Sequence, residues 1–319
     1  MTHLDPQQAR IAKLLDYLPA IHTLPPFMAR ISYTSLDRIL GIPKTKIKEI
    51  RDYKISDYDD QGKMKLRVYY PTQVKPKNQK ALIYFHGGGC VIGSINSHDR
   101  LCRKLCEDSQ TPIISVEYRL APKYKFPTAI LDAIHAWNWI SQHLDDLGLT
   151  DHKLGAGGDS AGGYLAFLLS IPQSQTELDI SPIISPKFLY LLYPMMDLRG
   201  LAQSYKNANQ GVLLTNTLMD YFSKHYLNNE AQKELPLASP LLFSDLSPLP
   251  ETYILTCGHD PLCDDGITLV EHLNSQNIPV KHDHLEDCMH SFVSVYRMSR
   301  RAQQATQLIS KRLQEIALL

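Results

Sequence analysis

Short apolar runs alternate with amphipathic segments along this sequence, and this pattern restricts its fold more than any other feature. The runs at 81–85, 113–118, 188–193 and 252–257 have the composition of buried strands. The segment 127–144 is the clearest helix, because its apolar residues form one stripe at helical spacing. Strands that alternate with helices indicate βαβ units. The predicted fold class is therefore α/β with a mostly parallel sheet.

Weaker patterns predict the remaining elements of this sheet and its helices. We expect a half-exposed strand at 64–70, a polar loop at 71–80, a short strand at 154–157 and an alternating strand at 280–285. Helices are expected at 98–109, after Ser160, at 267–275 and, as one long amphipathic helix, at 292–313.

Two segments do not fit the alternation of strands and helices. The first 50 residues have a helical pattern, broken at Pro25 and Pro26 and resumed from Met28 to Leu40. The segment 200–236 separates two core strands and has a helical centre near 215–226. Because a connection this long is unusual within a sheet, it indicates a lid or an inserted subdomain.

Composition and charge exclude several classes of protein. The 319 residues are 44% apolar and 21% charged, which suits one large globular domain. The net charge is zero, so we expect no nucleic-acid partner. Membrane insertion is not expected, because no stretch approaches about 18 uncharged apolar residues. The six cysteines form no Cys-x-x-Cys pair, which argues against a metal site and makes a reduced cytoplasm the simplest location.

The strongest local motif is Gly-Asp-Ser-Ala-Gly-Gly at 158–163, between a predicted strand and a predicted helix. A nucleophilic serine needs a tight strand-to-helix turn, and small residues two positions before and after it allow that turn. Ser160 is thus the candidate nucleophile. The alternatives are a plain glycine-rich loop or a phosphate-binding turn, although the Gly-x-x-x-x-Gly-Lys-Ser/Thr pattern of such a turn is absent.

A second motif, His-Gly-Gly-Gly at 86–89, directly follows the apolar run 81–85. Glycines leave backbone N–H groups uncovered, and such groups can stabilise an oxyanion. We expect the N–H groups of Gly88, Gly89 and Ala161 to form a three-donor oxyanion hole. His86 and Gly87 are expected to orient the loop. On its own, this motif would favour a flexible turn.

Two further candidates follow predicted strands, where a parallel α/β sheet places its ligands. Asp260 comes after the run 252–257, and His290 after the strand 280–285. The chain order serine, aspartate, histidine is that of α/β-hydrolase catalytic triads. In this interpretation Ser160 attacks an acyl carbon, His290 transfers the proton and Asp260 orients His290.

Other residues could compete for these roles. The chain has 13 histidines, and His282 and His284 share one face of a predicted strand. Asp264 and Asp265 follow Asp260 closely, but they match the acidic first turn of the next helix.

Together these motifs resemble the hormone-sensitive-lipase family of α/β-hydrolases, in particular its bacterial acetyl esterase branch. The resemblance rests on the motifs at 86–89, 118–122, 126–127, 158–163, 193–194, 260–262, 264–266 and 290–292. It implies an eight-stranded, mostly parallel sheet flanked by helices. It also implies a helical cap built from 1–50 and 200–236, which leaves 51–199 and 237–319 as the core. Family members hydrolyse short-chain carboxylic esters without a cofactor.

The sequence departs from the family pattern at three positions. Lys123 replaces a glutamate, which puts the salt bridges of its loop in doubt. Cys90 replaces a larger residue and is expected to widen the acyl site, and Ser291 replaces a glycine. Four cysteines are close in sequence to the proposed site: Cys90, Cys257, Cys263 and Cys288. They are either small apolar side chains that fill space or thiols whose oxidation would lower activity.

The resemblance predicts a serine esterase whose substrate is a small-molecule ester with a short acyl group. An amidase or deacetylase that uses the same triad is the nearest alternative. The plant gibberellin receptors resemble this family but lack the catalytic histidine. A binding protein of that kind, without activity, is disfavoured here because His290 is present. A homodimer stays open.

Overall fold

The computed structural model describes residues 3–73, 80–149, 153–208 and 211–318. One sheet in these residues has eight strands in the order β1-β2-β4-β3-β5-β6-β7-β8. The strands are β1 (Glu49–Ser56), β2 (Lys63–Tyr70), β3 (Lys80–Phe85), β4 (Ile113–Glu117), β5 (Lys153–Asp159), β6 (Leu189–Leu192), β7 (Thr252–His259) and β8 (Val280–Met289).

The sheet is mostly parallel, as predicted. The pairs β1–β2 and β2–β4 are antiparallel, and all the remaining neighbours are parallel. Strand β1 was not predicted. It begins at Glu49, so the last two residues of the expected N-terminal arm belong to the sheet. Its sequence is largely charged and exposed, because β1 is an edge strand that pairs only with β2, and it therefore has no apolar pattern to find.

The described residues also form ten α-helices and four short 3₁₀ helices. The α-helices are α1 (Pro6–Leu15), α2 (Pro26–Leu40), α3 (Ile95–Ser109), α4 (Thr128–Gln142), α5 (Ala161–Leu169), α6 (Pro172–Glu177), α7 (Gln203–Asn207), α8 (Asn216–Tyr226), α9 (Cys263–Ser275) and α10 (Arg300–Leu318). The 3₁₀ helices are Ile21–Thr23, Glu230–Glu234, Pro240–Leu242 and Phe292–Met298.

The long helix predicted at 292–313 is wrong in one respect. A 3₁₀ helix, Phe292–Met298, comes first, and Ser299 then adopts an extended conformation (φ −132°, ψ 119°). The hydroxyl oxygen of Ser299 accepts a hydrogen bond from the backbone N–H of Ala302 at 3.1 Å. A capping serine therefore starts α10 anew at Arg300, although the apolar spacing continues across the break.

Helices cover both faces of the sheet, and β3 shows how its side chains divide between them. Leu82 and Tyr84 pack in a cluster with residues of α3 and α10. Ala81, Ile83 and Phe85 point the other way, into a cluster with residues of α4, α5 and α9. Because β3, β5, β7 and β8 run parallel between these layers, their carboxyl ends lie at one edge of the sheet.

The N-terminal arm packs onto this edge. Arg30 of α2 donates hydrogen bonds to the carbonyls of Val91 (2.9 Å) and Ala121 (2.7 Å). Tyr221 of α8 donates to the carbonyl of Leu24 at 3.0 Å, which links the arm to the segment 200–236. Parts of the predicted segments, residues 1–2, 74–79 and 209–210, lie outside the described residues.

Candidate active site

Ser160 occupies a strained turn between β5 and α5. Its φ of 56° and ψ of −119° lie in a region that residues other than glycine rarely adopt. The turn is held from both sides: Ser160 N–H donates to the carbonyl of Leu192 at 2.9 Å, and its own carbonyl accepts from Tyr164 and Met195, each at 3.2 Å. The neighbouring backbone therefore stabilises a conformation that projects the hydroxyl.

Glycines on either side of Ser160 allow this turn to pack against the end of β3. A Cβ atom added to Gly158 would lie 2.2 Å from the carbonyl oxygen of Phe85, and one added to Gly162 would lie 1.8 Å from the same atom. No side chain fits at either position. The spacing of the motif is thus explained by contact between two backbones.

Asp260 and His290 form a buried pair at the ends of the two neighbouring strands. Asp260 follows β7 and His290 follows β8, and the Nδ1–H of His290 donates to Oδ2 of Asp260 at 2.7 Å. Oδ1 of Asp260 accepts from the backbone N–H of Leu262 at 2.8 Å. The ring of Tyr193 lies 4.5 Å from that of His290. These contacts fix the orientation of the imidazole.

Ser160, His290 and Gly88 line one small cavity of about 70 Å³. Apart from Ile92, Ser291 and Ser294, its remaining walls come from the arm and from the segment 200–236: Ile21, Tyr33, Leu36, Leu213, Leu214, Leu218 and Phe222. A larger cavity of about 420 Å³ shares Ile21, Leu36, Leu213 and Leu218 with it. The inner cavity, which Ser160 and His290 line, is therefore small, and its outer boundary is apolar.

The glycine loop after β3 reaches this cavity through Gly88. Gly88 and Gly89 have φ values of 116° and 60°, which favour glycine. The carbonyl of Gly88 accepts hydrogen bonds from Val91 (3.0 Å) and Ile92 (2.9 Å), so the loop forms a closed turn. Ala161, the third expected donor, is the first residue of α5, where backbone N–H groups have no partner within the helix.

Comparison with known proteins places this site in a family. A family model for the alpha/beta hydrolase fold matches residues 82–294. The chain belongs to the α/β-hydrolase family. This membership and the observed sheet confirm the family and fold that the motifs predicted.

Two curated relatives and one solved structure cover most of this α/β-hydrolase. It is 34% identical over 252 residues to an ethyl acetate hydrolase of Pseudomonas putida, with 78% of each chain covered. It is 34% identical over 279 residues to an arylesterase of Saccharolobus solfataricus, with 86% of each covered. A hyperthermophilic esterase from Pyrobaculum calidifontis is 30% identical, with a TM-score of 0.88 and all of both chains covered.

His86 of this α/β-hydrolase lies inside the protein and away from the cavity walls. Its ring stacks on Tyr118 at 4.3 Å, and its Nδ1–H donates to the carbonyl of Gly87 at 2.9 Å. Tyr118 Oη–H donates to the carbonyl of His86 at 2.6 Å. Burial lowers the pKa of His86 to about 3, so this imidazole is neutral. Each contact restrains the start of the glycine loop.

Sequence reasoning missed a second buried aspartate–histidine pair beside this loop. Asp159, which precedes Ser160, accepts hydrogen bonds from Tyr84 Oη–H (2.7 Å) and from Gly87 N–H (3.0 Å). Its Oδ2 lies 3.3 Å from Nε2 of His98 on α3. Asp159 is part of the serine motif, but nothing in the local sequence distinguishes His98 from the other polar residues of its helix.

The histidines and aspartates that could compete for the roles of His290 and Asp260 lie on β8 and α9. His282 and His284 share one face of β8, as predicted, and each has a ring nitrogen 2.8 Å from the hydroxyl of Thr256. Asp264 and Asp265 lie in the first turn of α9, also as predicted. Burial raises the pKa of Asp265 well above its usual value. None of these four residues lines the inner cavity.

Cys90 does not widen this site, contrary to the prediction. It is fully buried, has a φ of 58° and is not part of the cavity wall. Its thiol contacts Tyr226, and burial raises the pKa of Cys90 to about 12. Burial likewise raises the pKa of Cys263 to about 12 and that of Cys288 to about 11. Such thiols are poor nucleophiles, which favours their interpretation as small apolar fillers.

The other two departures have local explanations. Ser291 has a left-handed conformation (φ 55°, ψ 33°), which accounts for the glycine usual at this position in the family. The ammonium of Lys123 lies 4.9 Å from the ring centre of Tyr124. Arg119, in the same loop, pairs with the buried Asp132 at 2.8 Å and with Asp59 at 2.9 Å. The loop therefore has salt bridges in which position 123 takes no part.

Within the described residues, no group of three potential ligands among histidine, cysteine, aspartate and glutamate is placed to hold a metal ion. No helix in the described ranges is long and apolar enough to cross a membrane.

Proposed function

We propose that this α/β-hydrolase cleaves short-chain acyl esters through Ser160, His290 and Asp260 by way of an acyl-enzyme intermediate. That it is a carboxylic ester hydrolase follows from its esterase relatives, which cover most of the chain. The observation that carries the catalytic assignment is the hydrogen-bonded Asp260–His290 pair, whose imidazole lines the same cavity as the strained Ser160.

In the first half-reaction His290 takes the proton of the Ser160 hydroxyl as its oxygen attacks the ester carbonyl carbon. Asp260 accepts the Nδ1–H of His290 at 2.7 Å, which leaves Nε2 as the base and stabilises the imidazolium that forms. When the tetrahedral intermediate collapses, the bond to the alcohol oxygen breaks. His290 gives its proton to that oxygen, the alcohol leaves, and the acyl group remains on Ser160.

In the second half-reaction water replaces the alcohol. His290 takes a proton from the water molecule as its oxygen attacks the acyl carbon. Collapse of the second tetrahedral intermediate breaks the bond to the Ser160 oxygen, which recovers its proton from His290. The carboxylic acid is released and the enzyme returns to its starting state.

The oxyanion of each tetrahedral intermediate would be stabilised by the N–H groups of Gly88, Gly89 and Ala161. Gly88 lines the cavity beside Ser160, and its positive φ turns the loop backbone there. Removing a single donor of this kind typically lowers the rate by about 10²–10³-fold. His86 and Gly87 would hold the loop through the contacts described above.

The preference for short acyl groups is supported by the size of the inner cavity, about 70 Å³. The name of the P. putida relative, an ethyl acetate hydrolase, points in the same direction. We assign the helical cap to residues 1–48 and 200–236, and the core to 49–199 and 237–319, because β1 begins at Glu49. This division is supported by the cavity walls that both cap segments supply and by the Tyr221–Leu24 hydrogen bond between them.

Turnover of p-nitrophenyl esters from acetate to decanoate tests this proposal. We expect kcat/KM to be highest for the shortest acyl groups and to be abolished in Ser160→Ala. A fluorophosphonate should label the wild type and not this variant. Equal turnover by the variant, or labelling of another residue, would disprove the assignment of Ser160. Turnover of p-nitroacetanilide without turnover of the acetate ester would favour an amidase.

We also propose that the protein acts in the cytoplasm and forms a homodimer. Light scattering on the purified protein measures the oligomeric state directly, and a mass near 36 kDa would contradict the dimer.

A further inference from the structure

Asp159 contacts both parts of the proposed catalytic machinery. It directly precedes Ser160 in the chain. Its Oδ1 accepts a hydrogen bond at 3.0 Å from the backbone N–H of Gly87, the residue before Gly88. The fit is close: a Cβ atom on Gly87 would lie 2.3 Å from Oδ2 of Asp159. One carboxylate thus ties the strand that carries the nucleophile to the loop that carries the oxyanion donors.

His98 and Tyr84 hold this carboxylate in place. Tyr84 Oη–H donates to Oδ1 at 2.7 Å, and Nε2 of His98 lies 3.3 Å from Oδ2. The Nδ1 atom of His98 is 2.9 Å from the hydroxyl of Ser97, so both ring nitrogens are engaged. His98 and Asp159 are almost fully buried. The carboxylate therefore has fixed partners on α3, β3 and the glycine loop.

The surroundings of the pair favour the charged form of both groups. Burial alone would raise the pKa of Asp159, but the charge of His98 and hydrogen bonds from His98 and Tyr84 outweigh it and lower this pKa to about 2. Burial would lower the pKa of His98, yet Asp159 raises it overall. Other titratable groups near His98 are Tyr33 and Asp37 of α2, Glu117 of β4, and the neutral His86, whose ring lies 5.5 Å away.

We propose that Asp159 and His98 are a positioning pair that fixes the Gly88 and Gly89 donors relative to Ser160. The pair touches no substrate and acts through the loop and the nucleophile turn. This inference rests on the proposed function, since it assumes that Ser160 and the loop act together on one oxyanion. Because removing one partner of a buried ion pair can also destabilise the fold, the test must measure activity and stability separately.

The test compares His98→Ala, His98→Gln and Asp159→Asn with a control, Asp132→Asn. Asp132 is also a buried carboxylate, paired with Arg119 at 2.8 Å, but it contacts neither the turn at Ser160 nor the glycine loop. Each variant is assayed with p-nitrophenyl acetate, and kcat is expressed per site titrated with a fluorophosphonate. The melting temperature is recorded separately.

We expect His98→Ala and Asp159→Asn to lower kcat per titrated site by about 10- to 100-fold, with KM changed less than about threefold. His98→Gln, which keeps an N–H donor, should recover part of this loss. Asp132→Asn should lower the melting temperature and leave kcat per titrated site unchanged. The inference is overturned if the His98 and Asp159 variants lose only melting temperature, as the control does.

Tyr84→Phe keeps the test decisive if the larger changes prevent folding. It removes one hydroxyl and the 2.7 Å hydrogen bond to Asp159 while preserving the aromatic ring. We expect kcat per titrated site to fall about threefold to tenfold, and an unchanged kcat would contradict the positioning role. Ser160→Ala is assayed in parallel: turnover in that variant would mean that the proposed function fails, whatever the other variants show.

Discussion

Two buried aspartate–histidine pairs lie in the described part of the α/β-hydrolase, and they differ in what the imidazole faces. His290, paired with Asp260 at 2.7 Å, lines the cavity that contains Ser160. His98, paired with Asp159 at 3.3 Å, is enclosed, with Ser97 on its second nitrogen. The first pair leaves a nitrogen available for proton transfer, whereas the second has none. The same two groups therefore suit chemistry in one place and positioning in the other.

Replacing the two histidines should separate these roles most strongly. We expect His290→Ala to lower kcat at least about 10⁴-fold, because it removes the only base proposed for both half-reactions. His98→Ala should lower kcat by about 100-fold at most. Stopped-flow and steady-state assays with p-nitrophenyl acetate measure both. Losses of equal size would remove the distinction between the pairs.

The two carboxylates provide the next comparison. Asp260→Asn should lower kcat by about 10²- to 10⁴-fold, because the amide favours the wrong imidazole tautomer. Asp159→Asn should have the smaller effect on kcat described above. The pH dependence of kcat/KM sharpens the contrast: only the Asp260 variant should shift the pH at which the base is titrated. A shift in the Asp159 variant alone would reverse the assignment.

Acid stability distinguishes the enclosed pair in another way. The folded pKa of Asp159, about 2, is below the value of about 4 expected in the unfolded chain. Because the pKa of Asp159 is lower in the folded chain than in the unfolded chain, its ionisation stabilises the fold by about 2 kcal/mol at pH values above about 4. This contribution is lost as the pH falls from about 4 to about 2.

Urea unfolding of the wild type and Asp159→Asn over this pH range measures that contribution. The free energy of unfolding of the wild type should fall more steeply with acid than that of the variant. Parallel slopes would show that Asp159 is not an ionised partner of His98.

The smallest effect concerns backbone strain next to the proposed catalytic pair, Asp260 and His290. Ser291, directly after His290, has a left-handed φ of 55°. Ser291→Gly should relieve this strain and raise the free energy of unfolding by about 0.5–1 kcal/mol, with kcat within about twofold. A loss of stability would mean that contacts of the serine side chain outweigh the strain.

The sequence predicted those parts of the molecule whose signals are local. The buried strands are continuous apolar runs, and the serine turn and glycine loop are short motifs set by backbone contact, as at Gly158 and Gly162. Strand β1 was missed because an edge strand needs no apolar pattern. The break at Ser299 was missed because one capping hydroxyl interrupted a continuing apolar stripe.

The enclosed pair could not have been predicted in this way. His98 and Asp159 are 61 residues apart and belong to different elements, so only the packing of α3 on the sheet brings them together. The error at Cys90 has a similar cause. Its position after the glycine loop suggested exposure to the cavity, but its left-handed backbone turns the side chain toward Tyr226.

The apolar boundary between the inner and outer cavities has a practical consequence. Both cavities share four wall residues from the arm and from the segment 200–236: Ile21, Leu36, Leu213 and Leu218. None of these four side chains carries a reacting group. Changes at these positions can therefore accumulate without disturbing the strand ends that hold Ser160, Asp260 and His290. A mutant library confined to these four positions should thus yield enzymes that differ in the esters they accept but share one chemistry.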